Sequence, residues 1–168
     1  MAPAGVSGFI RDPNTSNFAH GLQVDRVDSP NLTRIVGTEG ATAIWANGYF
    51  AARPHAHSKT RSPMKDGGEQ NFRVLTYFKD AGLPADQIGD VHANTTIEMS
   101  GSTGDSSESR HVVSYTTIIT RKVLGVRVAE SHAWAELDSN GGIIAEDVWW
   151  PEIPPQVVAE LATFQSKM

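Results

Sequence analysis

Glutamate and histidine side chains alternate along one predicted strand of this chain, where they could act together as an acid and a base. Glu130, His132 and Glu136 lie two or four residues apart, with Trp134 between them. Alternate residues of a strand point to the same face, so these side chains should share one surface. A carboxylate beside an imidazole can serve as a general acid–base pair. Under an enzyme hypothesis, Glu130 and His132 are therefore the candidate catalytic residues.

A strand face in contact with water explains the same pattern without catalysis, because charged side chains are mostly solvated and pair across strands. The pocket hypothesis needs a sheet that encloses a small molecule in contact with His132, Glu130, Trp134 and Tyr115. An interface hypothesis uses Trp149 or Trp150, since an exposed tryptophan often anchors a partner or stacks on a sugar. These two neighbours must point to opposite faces, so one of them should lie in the core. The pattern leaves these hypotheses open.

A second pair of histidines, His55 and His57, has the spacing of metal ligands but lies in an unfavourable surrounding. His55 and His57 could hold one ion from the same face of a strand. They lie in a polar stretch beside Arg53, Lys59 and Arg61, whose charges disfavour a bound cation. We therefore predict no metal site and no cofactor. The chain contains no Cys, which excludes disulfides and Cys-ligated zinc or iron–sulfur centres.

The charge balance argues against a nucleic-acid partner. The formal net charge is -5, whereas nucleic-acid binders usually carry a basic face. No apolar run reaches the length of a membrane span. The first residues lack the basic and apolar regions of a signal peptide, although Met1 can also follow a leader that has been removed. The compartment is left open, with secretion as the favoured expectation.

The length of 168 residues fits one domain at 18–168, preceded by an N-terminal arm at 1–17. The arm is rich in Gly, Pro, Ser and Asn, and such a segment becomes ordered only when it lies on another surface. Short strands are predicted within 18–53, with Asn47-Gly48 as a hairpin turn. Polar loops are expected at 54–68 and 100–109.

Two helices are predicted from apolar spacing. The first covers 69–81 and presents Phe72, Leu75 and Phe78 on one side. The second is a short amphipathic helix at 156–167. Because each helix needs an apolar partner surface, both are expected to pack on a sheet.

The stretch 110–150 supplies the centre of that sheet. Apolar and polar residues alternate through most of it, with breaks at Gly125 and at 139–142. This pattern predicts two or three long antiparallel strands, and 91–99 is a further strand candidate. The predicted fold class is α+β, with a curved antiparallel sheet packed on one main helix, cystatin-like or cone-shaped, and a short C-terminal helix.

Part of this stretch resembles a known family. The run 121–131, followed by Leu137-Asp138 and Asn140-Gly141-Gly142-Ile143, is similar to the propeptides of thermolysin-like and fungalysin-like metalloproteases and to the related PepSY domains. Those domains carry a Gly-Val-x-Val and Asp-x-Gly-apolar pattern on a cystatin-like fold. The resemblance implies a chain that inhibits or chaperones a partner protease and performs no catalysis itself.

Three functions follow as hypotheses. The leading one is a non-catalytic, pro-domain-like protein that binds another protein through its sheet face or edge and an exposed tryptophan. The second is a small-molecule-binding enzyme of a cone-shaped α+β fold that uses Glu130 and His132. The third is a structural subunit of a homo-oligomer or other assembly, whose N-terminal arm docks on a neighbour.

Overall fold

The structure is a computed structural model. The residues that it describes form one antiparallel sheet, a main helix and a short C-terminal helix. The predicted α+β fold class is therefore confirmed. The predicted turn at Asn47-Gly48 and most of the predicted loops at 54–68 and 100–109 lie outside the described residues. The structure describes residues 4–10, 12, 25–29, 32–36, 40–45, 49–54, 66–100 and 109–167.

In chain order the described elements are β1 Asp25–Ser29, β2 Leu32–Val36, β3 Gly40–Trp45, β4 Phe50–Pro54, α1 Gly67–Asp80, a 3-10 turn Ala85–Gln87, β5 Ile88–Ser100, β6 Ser109–Val123, β7 Val126–Leu137, β8 Ile143–Trp149 and α2 Pro155–Gln165. Within the described residues, these eight strands form one open sheet in the order β1-β2-β3-β4-β8-β7-β6-β5, and all neighbours are antiparallel. The main helix lies against β5, β6 and β7. Buried core side chains come from α1 and from β4, β6, β7 and β8, together with Phe9, Leu83 and Trp150, and partly buried residues of β5 pack against them.

Helix α1 begins after a carboxylate cap and is followed by a glycine that ends it. An Asp66 oxygen accepts a hydrogen bond from the Gly68 N–H at 2.8 Å, which satisfies one of the amides at the helix start. Gly82 follows the helix with φ +101°, a conformation that glycine adopts without strain. The Leu83 N–H then reaches back to the Phe78 carbonyl at 2.9 Å and closes the last turn.

The buried face of α1 is rotated from the predicted one. Gln70, Val74 and Phe78 are fully buried at a spacing of four residues, whereas Phe72 is 70% exposed. The prediction that Phe72 belongs to the buried stripe was wrong. A polar residue takes the first buried position because the Gln70 side-chain amide donates to the Tyr115 carbonyl in the sheet.

Two tight turns set the register of the central strands. Leu124 and Gly125 have φ +50° and +78° between the paired ends of β6 and β7, which is the backbone of a two-residue hairpin turn. In the next turn an Asp138 oxygen accepts from the N–H groups of Asn140 and Gly142, both at 2.9 Å. Gly141 has φ +84° there. The breaks predicted at Gly125 and 139–142 are confirmed.

Substitution of Phe78 by alanine tests the observed helix face. Phe78→Ala should lower the free energy of unfolding by about 3–5 kcal/mol, because it leaves a cavity in the core. Phe72→Ala, made on the same helix, should change it by less than about 0.5 kcal/mol. Urea unfolding measures both variants, and equal losses would contradict the assignment of the buried face.

Candidate functional site

Five side chains meet on the face of the sheet that points away from α1. His132 lies opposite Trp149, and Trp134 lies opposite Asp147, in the pairing of β7 with β8. Residues that pair directly across strands share a face. Tyr49, just before β4, brings its ring to 6.4 Å from the ring of Trp149. Three predicted site residues, His132, Trp134 and Trp149, are thus brought together.

The centre of this cluster is a buried carboxylate. Asp147 is 2% exposed. One of its oxygens accepts a hydrogen bond from the Tyr49 hydroxyl at 2.6 Å, and the other lies 3.0 Å from His132 Nε2. Hydrogen bonds to a carboxylate stabilise its charged form, and this offsets the loss of water around it.

Both ring nitrogens of His132 face acceptors. Nδ1 lies 2.7 Å from the backbone carbonyl oxygen of Glu130, and Nε2 lies beside Asp147. A carbonyl oxygen can only accept, so Nδ1 carries a proton, while Nε2 shares a hydrogen bond with the Asp147 carboxyl group. Both ring nitrogens are thus engaged within the chain, and in this arrangement neither offers a free lone pair to a substrate.

Glu130 contacts His132 through its backbone instead of its carboxylate. The pairing of β6 with β7 shifts from Arg121–Val128 to Thr120–His132, which leaves 129–131 as a bulge in β7. Glu130 adopts φ +64° in this bulge, and its side chain is exposed. The bulge breaks the alternation on which the predicted acid–base pair depended.

The remaining predicted residues lie elsewhere. Tyr115 is on the α1 face of the sheet, where its ring would contact a Cβ added at Gly67. Trp150 is buried within this chain, and its indole N–H donates to the Gln87 side-chain oxygen at 2.9 Å. The Arg121 guanidinium lies over the Trp150 ring at 5.3 Å. The predicted site residues therefore lie in three places: around Asp147, on the α1 face of the sheet, and in the core at Trp150.

A second buried carboxylate lies on the opposite face of β8. Glu146 is fully buried, and the Tyr77 hydroxyl of α1 lies 3.0 Å from each of its carboxylate oxygens. The Thr117 hydroxyl donates to Asn71 on the same helix at 2.9 Å. Polar bonds as well as apolar contacts therefore hold α1 on the sheet.

Asp147 and Tyr49 are the two members of the cluster that sequence reasoning missed. A signal for Asp147 does exist, since a two-residue turn at Asn140-Gly141 would pair 134 with 147 and 132 with 149, as observed. Tyr49 has no comparable signal, because its bond to Asp147 joins residues 98 positions apart.

Other kinds of site receive little support from the described residues. None of their His, Asp and Glu side chains form a group of three or more that could hold a metal ion; His55 and His57 lie outside the described residues. The helices that the structure describes are too short or too polar to cross a membrane. A cleft of about 260 Å³ lies between α1 and the 139–142 turn, and no predicted site residue lines it.

No protein-family model, no curated protein and no solved structure matches this chain. The resemblance to metalloprotease propeptides stays a prediction that depends on its motif residues. Function is therefore argued from the geometry.

Replacement of Asp147 tests whether the cluster stabilises the sheet. Asp147→Ala should lower the free energy of unfolding by about 3 kcal/mol, because it leaves the half-buried Tyr49 hydroxyl and His132 ring without their hydrogen-bond partner. Glu130→Ala should change it by less than about 0.5 kcal/mol, since the bond to His132 comes from the backbone. Denaturant unfolding compares the two variants. A larger loss for Glu130→Ala than for Asp147→Ala would contradict this geometry.

Proposed function

We propose that this chain is a non-catalytic protein-binding domain, similar in role to propeptides that inhibit or chaperone a partner protein. The observation that carries the proposal is the long open edge formed by β5. This strand has 13 residues, and in the described part of the chain it pairs with β6 alone. An open edge is a template for a strand of another protein.

The composition of β5 favours further pairing. Residues 88–100 include no Lys, Arg or Pro, which natural edge strands often use to block added strands. Register shifts occur near Ile88 and after Thr96, and between them 91–96 pair regularly with 114–119. This regular stretch is long enough to receive an extended segment of about six residues.

The far end of β5 adds an apolar surface. The described pairing of β6 with β7 begins at Thr116, so 97–100 and 109–112 form a two-stranded ribbon beyond β7. Ile97 and Met99 are 53% and 58% exposed on this ribbon. Two-stranded ribbons are marginally stable alone, so a partner that covers these side chains would stabilise both proteins.

The order of elements also supports a pro-domain-like role. Helix α1 is followed by β5, β6, β7 and β8, each paired with the next, and α1 lies on three of them. We propose that this unit is the cystatin-like, helix-plus-sheet arrangement implied by the sequence resemblance. Catalysis has weaker support, because both ring nitrogens of His132 already face acceptors.

An affinity experiment with matched surface variants tests the proposal. The purified chain is used as bait in extracts and secreted fractions of its native source, beside Ile97→Lys/Met99→Lys and Phe164→Lys. Phe164 is an exposed apolar residue of α2 and serves as the control. Its neighbour Gln165 bonds to Leu124, at the opposite end of β6 from the residue that pairs with Ile97. One partner should bind the unchanged chain and the Phe164 variant with equal affinity. The edge variant should bind at least ten-fold more weakly, about 1.4 kcal/mol.

Equal binding of the partner by all three proteins would place the interface away from β5. Absence of any stoichiometric partner, together with turnover of a small molecule by the purified chain, would contradict the protein-binding proposal itself. If the partner is a protease, its activity in the complex shows whether the chain inhibits it.

A further inference from the structure

The turn that joins β6 to β7 carries two exposed apolar side chains. Leu124 is 49% exposed and Val126 is 41% exposed. A Cβ added at Gly125, between them, would meet no described atom within 4 Å, so the apex of the turn projects from this part of the molecule. These side chains contribute little to the core, and a contiguous apolar surface of this kind marks a contact with a partner or a membrane.

The end of α2 extends the apolar surface of the turn. The Gln165 side-chain amide donates to the Leu124 carbonyl at 2.6 Å, which holds the last turn of α2 beside the hairpin. Phe164 is 64% exposed, and Val157, two helical turns earlier on the same side of α2, is 50% exposed. Of the eight large hydrophobic side chains described as exposed, four thus lie on this turn and α2. We call Leu124, Val126, Val157 and Phe164 the tip surface.

Positive charges border the tip surface. Lys122 and Arg127 are direct cross-strand partners at the end of the hairpin, and both are exposed. Two like charges in directly opposite positions destabilise a strand pair. The ion pairs between described residues do not involve either side chain. Lys167 adds an exposed cation just after α2. An anionic partner at the tip would therefore relieve a repulsion that the described residues leave in place.

The charge at the tip is opposite to that of the whole chain. The formal net charge of the chain is -5. Residues 122–128 nevertheless carry two cations and no carboxylate, and 161–167 carry one cation and no carboxylate. The next acidic residues along the chain are Glu130, in the bulge of β7, and Glu160, one helical turn before Phe164. Cations are thus concentrated at the apolar end of the molecule.

The cations and the apolar side chains of the hairpin lie on different faces. Neighbouring strand positions point to opposite faces, so the Lys122–Arg127 pair and the Val123–Val126 pair are on opposite sides of the hairpin. A single bound anion would contact only the cationic side. A membrane surface that receives the apex end-on would contact both sides, with apolar atoms below the headgroups and cations among them.

We propose that the tip surface docks on an anionic lipid membrane. Leu124, Val126 and Phe164 enter the boundary between headgroups and acyl chains, and Lys122, Arg127 and Lys167 lie among the anionic headgroups. Each cation near such a surface strengthens binding about five-fold, so the charges and the apolar contacts act together. This docking uses a different surface from the protein-binding edge at β5, and either proposal can fail while the other stands.

Sedimentation of the chain with lipid vesicles tests the apolar part of the proposal. The chain should sediment with vesicles of phosphatidylcholine mixed with phosphatidylserine. Leu124→Asn/Phe164→Ser should weaken this binding at least about ten-fold, because it removes inserted apolar area. Asparagine suits the φ of +50° at position 124, so the turn is kept. Phe72→Ser removes an equally exposed phenylalanine from α1 and should leave vesicle binding unchanged.

A second pair of variants tests the charges. Lys122→Gln/Arg127→Gln should weaken binding to the mixed vesicles at least about ten-fold, whereas Lys79→Gln, an exposed cation of α1, should not. Phosphatidylcholine alone and raised salt should weaken binding of the unchanged chain for the same reason. Failure to sediment with the mixed vesicles overturns the proposal. Equal binding to both kinds of vesicle, or an equal loss in the α1 variants, overturns it as well. Loss of a protein partner by the tip variants, without vesicle binding by the chain, would assign the surface to a protein instead.

Discussion

Strand β8 is covered on both faces, and each face buries a carboxylate. Glu146 and Asp147 are adjacent in the chain and almost without contact with water. A buried, uncompensated carboxylate costs several kcal/mol, so each needs polar partners of its own. Tyr77 of α1 supplies them on one side, and Tyr49 and His132 supply them on the other. The position of α1 and the pairing of β4, β8 and β7 must satisfy both carboxylates together.

This constraint separates the stable centre of the sheet from its binding surfaces. His132, the predicted catalytic histidine, is hydrogen-bonded to Asp147 and to the Glu130 carbonyl, so it belongs to the stable centre of the sheet. In the described residues, the backbone N–H and C=O groups of β5 have strand partners only on the side of β6. At the end of β8, residues 4–10 of the N-terminal arm cover the buried Arg121 and Trp150 and bond to Ile153 through the backbone of Val6. Binding is thus expected at the margins of the sheet.

Local signals predicted the fold, and long-range contacts decided the site. Alternation in 110–150, with glycines in its turns, predicted the central strands because strand period and turn geometry are local properties. The helix face was misjudged at Phe72, since a bond from Gln70 to the sheet outweighed apolar spacing. The bulge at 129–131 arises from the pairing of β7 with β6. No residue within the bulge indicates this register shift from the sequence alone.

The arm illustrates a similar division. Its composition predicted a segment that becomes ordered only on another surface, yet the surface that holds residues 4–10 is built from distant parts of the chain. Arg121 lies on a strand, Gln87 in a 3-10 turn and Ile153 beyond the last strand. Their convergence on Ser7 and Val6 depends on the complete fold. A buried arginine in an alternating strand gives no local sign of this role.

Hydrogen–deuterium exchange of the chain with and without its captured partner tests the central claim most directly. If a partner strand adds to the sheet edge, amide protection should rise in β5, at 88–100, and in the ribbon that continues from it. The already paired amides of β7 and β8 should change little. Protection that rises around His132 and Trp134, with β5 unchanged, would contradict binding at the edge.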